Sequence, residues 1–186
     1  LEHRCLQTAE GADGQTITVE HGYYSSDKLL LKSHWLFHFS DDEHARVEIN
    51  VEVDPELPPL PRVGISMRLA KSVDSVAWFG RGPHENYPDR LASADFGHWR
   101  LPLSSMHTPY IFPSENGLRC DVHLLELGSV SVSGHFHYSI SKFGQAQLAA
   151  ALHDHELTAE EGLYVYLDGF HMGVGGDDSW THSTKP

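Results

Sequence analysis

The sequence predicts an all-β fold built from antiparallel strands, and three features carry that prediction. Hydrophobic residues recur with period two in several separate segments, turn-forming residues separate those segments, and one short stretch carries a helical pattern. The clearest alternation is Arg46-Val47-Glu48-Ile49-Asn50-Val51-Glu52-Val53, where four β-branched apolar residues point one way and Arg, Glu and Asn point to water. Trp35, Phe37 and Phe39 alternate with His34, Leu36 and His38 just upstream, and Ser40-Asp41-Asp42-Glu43-His44 reads as the turn between the two strands. A proline-rich connector, Pro55 to Pro61, leads into a third alternation of Val63, Ile65, Met67 and Leu69. Further strands are expected around Val130-Ser131-Val132, Phe136 to Ile140 and Leu163 to Leu167. The helical pattern is Gln145 to Leu152, rich in good helix formers, with Leu148 and Leu152 at i, i+4. Many short strands joined by turns build a sandwich or barrel rather than a parallel α/β sheet.

Between Gly80 and Leu118 the periodicity fades and Gly, Pro and polar residues dominate. A loop region of that length in a compact domain is usually functional or interfacial. The 186 residues suit a single domain, 1–186, with a real core. The net charge of −13, from 26 acidic residues against 13 Lys and Arg, leaves no clustered cations for nucleic acid or for an anionic membrane surface. Cys5 and Cys120 are too few for a disulfide scaffold and are expected to stay reduced, which fits the cytoplasm. No apolar run is long enough to span a membrane, and Leu1-Glu2-His3-Arg4-Cys5 has no signal-peptide core. The chain reads as a fragment of something longer.

Specific motifs lie in and after the aperiodic stretch. Trp78-Phe79-Gly80-Arg81-Gly82-Pro83-His84-Glu85-Asn86-Tyr87-Pro88-Asp89-Arg90 is followed by Leu101-Pro102-Leu103 and by the segment Thr108 to Cys120. Ala159-Glu160-Glu161-Gly162 and the segment Asp168 to Trp180 complete the series. In this order and spacing they resemble the C-terminal region of bacterial β-galactosidases of glycoside hydrolase family 2. The likeness runs from Thr16 onward and is weaker before Val76. It implies an antiparallel supersandwich of the galactose-mutarotase type, entered partway and cut before its final strands.

The resemblance also implies a division of labour. A retaining glycosidase needs two carboxyl groups beside the scissile bond. Glu85, Asp89, Glu115, Asp168, Asp177 and Asp178 are candidates by residue type, but the family carries its catalytic pair in an upstream barrel domain, so none of them is expected to be catalytic. Glu85, Asp89 and Arg90 are instead expected to form a buried ion-pair cluster that pins the long loop. Trp180, among glycines and aspartates, is the expected substrate-binding residue, an indole platform for the sugar at the pocket rim. Trp35, Trp78 and Trp99 are read as packing residues. Gly173-Val174-Gly175-Gly176 lacks dinucleotide-loop spacing and is expected to carry the backbone close to a neighbouring domain.

No metal or other cofactor is expected in this stretch. His135, His137 and the run His153-Asp154-His155 do not complete a zinc pattern. The parent family uses Mg2+ and Na+, with a peripheral sodium on main-chain oxygens at positions resembling Phe112, Pro113 and Leu148. The implied partners are a galactoside such as lactose, sister domains of the parent chain, and further subunits of a homotetramer. Two rivals remain. A free-standing aldose epimerase would use Glu85 with His84 or His171, and a carbohydrate-binding module would need several exposed aromatics where only Trp180 makes a good case.

Overall fold

The computed structural model describes residues 1–41, 43–70, 73–110 and 115–173. The chain divides into two compact units, Leu1–Pro59 and Leu60–Pro186. The first is a four-stranded antiparallel meander of β1 (Glu2–Glu10), β2 (Thr16–Ser25), β3 (Lys28–Phe39) and β4 (Ala45–Val53), paired in that order. Its turns follow from short polar side chains that bond to their own backbone. Asp13 Oδ1 accepts the N–H groups of Gln15 and Thr16, and Asp41 Oδ1 accepts those of Glu43 and His44. The register places Ile49 opposite Trp35 and Val47 opposite Phe37, while Trp35, Phe37 and Phe39 stack along one face. That face is apolar as the alternation predicts, yet Phe39, Val47, Val51 and Val53 are exposed. The opposite face carries charge, including the Lys32–Glu20 pair at 2.6 Å.

The second unit holds a six-stranded sheet made from β5 (Arg62–Leu69), β6 (Ser75–Gly82), β7 (Asp95–Pro102), β8 (Arg119–Leu127), β9 (Val130–Ser141) and β10 (Leu163–His171). The order is β5-β10-β9-β8-β6-β7, and neighbouring strands pair antiparallel. Its core gathers Val76, Trp78, Val122, Leu125, Tyr138, Ile140, Leu163 and Val165 around Met106. The all-β, antiparallel class and the one short α-helix are as the sequence predicts. Three details differ. The aperiodic stretch contains β7, an edge strand whose pairing with β6 sets Trp99 opposite Trp78. The two segments expected at Val130 and Phe136 form one continuous strand. The helix α1 (Gln145–Ala150) ends early, because Ala151 is already extended and Glu156 Oε2 takes the N–H groups of Leu152 and His153. Leu148 is therefore buried and Leu152 exposed.

Candidate functional site

Three of the motif segments meet in the second unit, joined by buried polar side chains. After β6, Asn86 is fully buried and stitches the loop to the start of β8: its N–H donates to Leu118 O at 2.8 Å, and its Oδ1 accepts Cys120 N–H at 3.0 Å. The Cys120 thiol donates to Asn86 O, and burial, aided by the charge of Asp121, pushes its pKa up to about 12. A thiol so placed is a packing group, not a nucleophile. Glu85 then ties three elements together. Its Oε1 accepts from Arg90 at 2.6 Å and from the Tyr110 hydroxyl, and its Oε2 accepts the N–H of Gly117 at 2.9 Å.

Arg119, 2% exposed, spreads its guanidinium over backbone carbonyls, those of Gly117 at 2.7 Å and Met106 at 3.1 Å, beneath the Trp78 ring. Gly117 adopts φ +74°, and a Cβ there would lie 2.8 Å from Met106 O, so glycine is required.

A second knot lies at the end of β10. Arg62 grips Asp168 at two points, 2.9 and 2.8 Å, and reaches Glu115 at 3.3 Å. Burial disfavours the Arg62 cation, but Asp168 and then Glu115 more than offset it, and its pKa rises. Asp168 is also raised, because burial outweighs the pull of Arg62. Burial dominates at Asp168, whose side chain is 2% exposed against 18% for Arg62. For Glu115 burial is again the largest influence, yet His171 and Arg62 together overcome it and hold its carboxyl below the ordinary value.

His171 links this knot to the chain beyond. Its Nδ1 accepts the N–H of Gly173 at 3.1 Å, which leaves the ring proton on Nε2, 3.5 Å from Glu115 Oε2. The Tyr87 ring meets His171 edge to face, and burial, reinforced by Glu85 and Glu115, lifts the Tyr87 phenol well above its ordinary value. The cluster thus contains carboxylates, a neutral phenol, an imidazole and guanidinium groups, with its carboxylates committed to cations, backbone or imidazole. Its chemistry is that of a clamp on loops.

The expected Glu85–Arg90 pair is present, but the cluster is less buried than expected. Glu85 is 8% exposed whereas Arg90 is 44% exposed. Asp89 is exposed too, its side chain set against Gly173, because the turn closed by Arg90 N–H on Tyr87 O carries both outward. Trp180, Asp177, Asp178 and the glycines after Gly173 lie outside the described residues. Trp78 is buried, Trp99 packs against the core, and Trp35 is half-buried on its sheet. Among the described residues no group of three or more His, Cys, Asp or Glu converges to hold a metal. His135 meets His123 at a tilt, and His153 stacks on His155. Phe112 and Pro113 lie outside the described residues. Arg62, Asn86, Tyr87 and Arg119 escaped sequence reasoning. The last three sit inside motifs, whereas Arg62 follows a proline run with no local sign of its role.

The second unit is thus an antiparallel all-β region in which Glu85, Glu115 and Asp168 tie its long loops together. A family profile described as beta-galactosidase small chain matches residues 2–186. The chain is similar to a beta-galactosidase of Aeromonas hydrophila, 51% identical over 190 residues, covering 100% of this chain and 18% of that protein. It is likewise similar to a beta-galactosidase of Yersinia enterocolitica, 47% identical over 185 residues, covering 98% of this chain and 18% of the relative. One from Yersinia pseudotuberculosis is 47% identical over 187 residues, with 98% and 17% covered. The chain belongs to the beta-galactosidase small-chain family, and it spans about a fifth of the length of these relatives.

Proposed function

We propose that this chain is the C-terminal β-sandwich region of a polypeptide that hydrolyses terminal β-D-galactosides such as lactose with retention, and that it frames the active site without supplying the catalytic pair. The observation that carries this reading is the state of its carboxylates. Glu85 is bound to Arg90, Tyr110 and a backbone N–H, while Glu115 and Asp168 share Arg62. A nucleophile and a general acid must be able to reach the glycosidic bond, so the chemistry falls to the rest of the parent chain.

Trp180 is the residue we assign to substrate. An indole stacked on the apolar face of a pyranose contributes on the order of 1–2 kcal/mol. The clamp at Glu115, His171 and Gly173 fixes the chain seven residues before it. The parent works in the cytoplasm as a homotetramer; its Mg2+ and Na+ lend charge to the reaction from sites mostly outside this region. No helix among the described residues is long and apolar enough to cross a membrane.

The test is Trp180→Ala in the full-length enzyme. KM for a galactoside is expected to rise by roughly ten-fold or more, with kcat for an activated substrate close to normal and Trp180→Phe recovering part of the loss. A lower melting temperature with an unchanged KM would make Trp180 a packing residue instead.

A further inference from the structure

Only one of the three asparagines in the chain precedes a glycine: Asn116, against Asn50 before Val51 and Asn86 before Tyr87. An Asn-Gly step is chemically labile because glycine leaves its own nitrogen unhindered next to the asparagine side chain. Here the fold demands both residues. Gly117 takes φ +74° with Met106 O so close that no Cβ fits. Asn116 must both accept and donate: its Oδ1 takes the N–H of Thr108 at 3.0 Å, and its Nδ2 gives a hydrogen bond to Thr108 O at 2.6 Å. Asp could not donate at that second contact, and a hydrophobic residue could make neither.

The contacts that require the labile pair also silence it. For reaction, the Gly117 nitrogen must lose its proton and reach Asn116 Cγ. In the structure that N–H is given to the Glu85 carboxylate at 2.9 Å, an anion whose acceptance opposes the loss of the proton. The amide group that Gly117 would attack is held at both ends by Thr108, and Gly117 O is held by Arg119 at 2.7 Å.

We propose that Asn116 is a latent site of spontaneous deamidation, silent while Thr108 holds its amide and Glu85 holds the Gly117 N–H, and reactive once those contacts open. On opening, a bond forms between Gly117 N and Asn116 Cγ, and the bond from Cγ to the side-chain nitrogen breaks. Ammonia leaves with the former amide proton, and a five-membered succinimide remains. Water then opens the ring at either carbonyl and leaves an aspartyl or isoaspartyl residue; nothing is oxidised or reduced. The product cannot close again, because a carboxylate at 116 offers no donor to Thr108 O and adds a negative charge to a loop already anchored by Glu85. Opening of this clamp therefore becomes irreversible.

Peptide mapping by mass spectrometry of the full-length enzyme, held at mildly alkaline pH in native buffer and in concentrated urea, tests the proposal. Conversion of Asn116 is expected in urea and is expected to be roughly ten-fold slower or more in the folded enzyme, as for chemistry that waits on local opening. Glu85→Ala should raise the folded-state rate at Asn116, while Glu85→Gln, which keeps an acceptor for the Gly117 N–H, should stay nearer the parent. Asn50 and Asn86 serve as internal gauges of global unfolding. Asn116→Asp should melt below the unmodified protein. Conversion as fast in native buffer as in urea would overturn the proposal, as would a Glu85→Ala rate equal to that of the parent in an enzyme that remains folded. An Asn116→Asp melting temperature equal to the parent's would overturn the irreversible step.

Discussion

Arg62 holds Asp168 through two contacts and Glu115 through a third, and the two carboxylates respond in opposite senses. Glu115 sits below its ordinary value of 4.5, so the folded state binds fewer protons there than the unfolded chain. Its contribution to stability is present above that value and is lost as pH falls through the lower, folded value. Asp168 sits above its ordinary 3.8, so what it contributes is present below that pH and fades as pH rises through its raised value. We therefore expect Glu115→Gln to lower the melting temperature at neutral pH, and the gap from the parent to narrow as pH drops below the ordinary carboxylate range. Melting curves across that range check it; a gap that stays constant into acid would mean that the charge of Glu115 contributes nothing.

At the scale of elements, the β6–β7 pairing decides whether the long middle segment is tied down. Gly82 closes β6 between two indoles, and a Cβ there would lie 2.8 Å from a ring atom of Trp78 and 2.8 Å from one of Trp99. Both rings are themselves anchored, Trp78 Nε1 to Arg81 O at 2.9 Å and Trp99 Nε1 to Gly80 O at 3.1 Å. Overpacking of this kind costs about 1–3 kcal/mol, so Gly82→Ala should destabilise the protein and shift its tryptophan fluorescence. Gly97, on the edge strand, has its nearest ring atom at 3.4 Å and should accept alanine with little loss. Equal melting temperatures for the two variants would remove the steric argument. The end of α1 is decided by a comparable local competition: Glu156 captures the N–H groups that another helical turn would have used.

For the molecule as a whole, exposed apolar residues occur in both units, Val47, Val51 and Val53 in one and Phe96, Phe170 and Met172 in the other. Such surface suits a chain that covers 18% of its relatives. With Glu85, Glu115 and Asp168 tied into clamps, the isolated chain is expected to show no turnover of a chromogenic β-galactoside. Activity above that of a mock purification would place a catalytic pair inside these residues and reverse the assignment.

The sequence alone determined the all-β class, because period-two alternation in segments such as β4, β5 and β10 is a local property of the chain and needs no knowledge of neighbours. It also carried the family, through motifs whose order and spacing survive without coordinates, and it singled out Glu85 and Arg90 as partners five residues apart. Tertiary structure alone decided the rest. In β7 the inward positions are Gly97, Trp99 and Leu101 while Phe96 is exposed, so the apolar pattern along the chain is blurred, and pairing with β6 sets Trp99 opposite Trp78. Arg62 and Asp168 are 106 residues apart, so nothing local could pair them. The same holds for Gly117 and Glu85, 32 residues apart, whose bond turns a labile Asn-Gly step into a protected one. Hydrophobic periodicity is written along the chain, whereas a buried charge is satisfied only by whatever the fold brings to it.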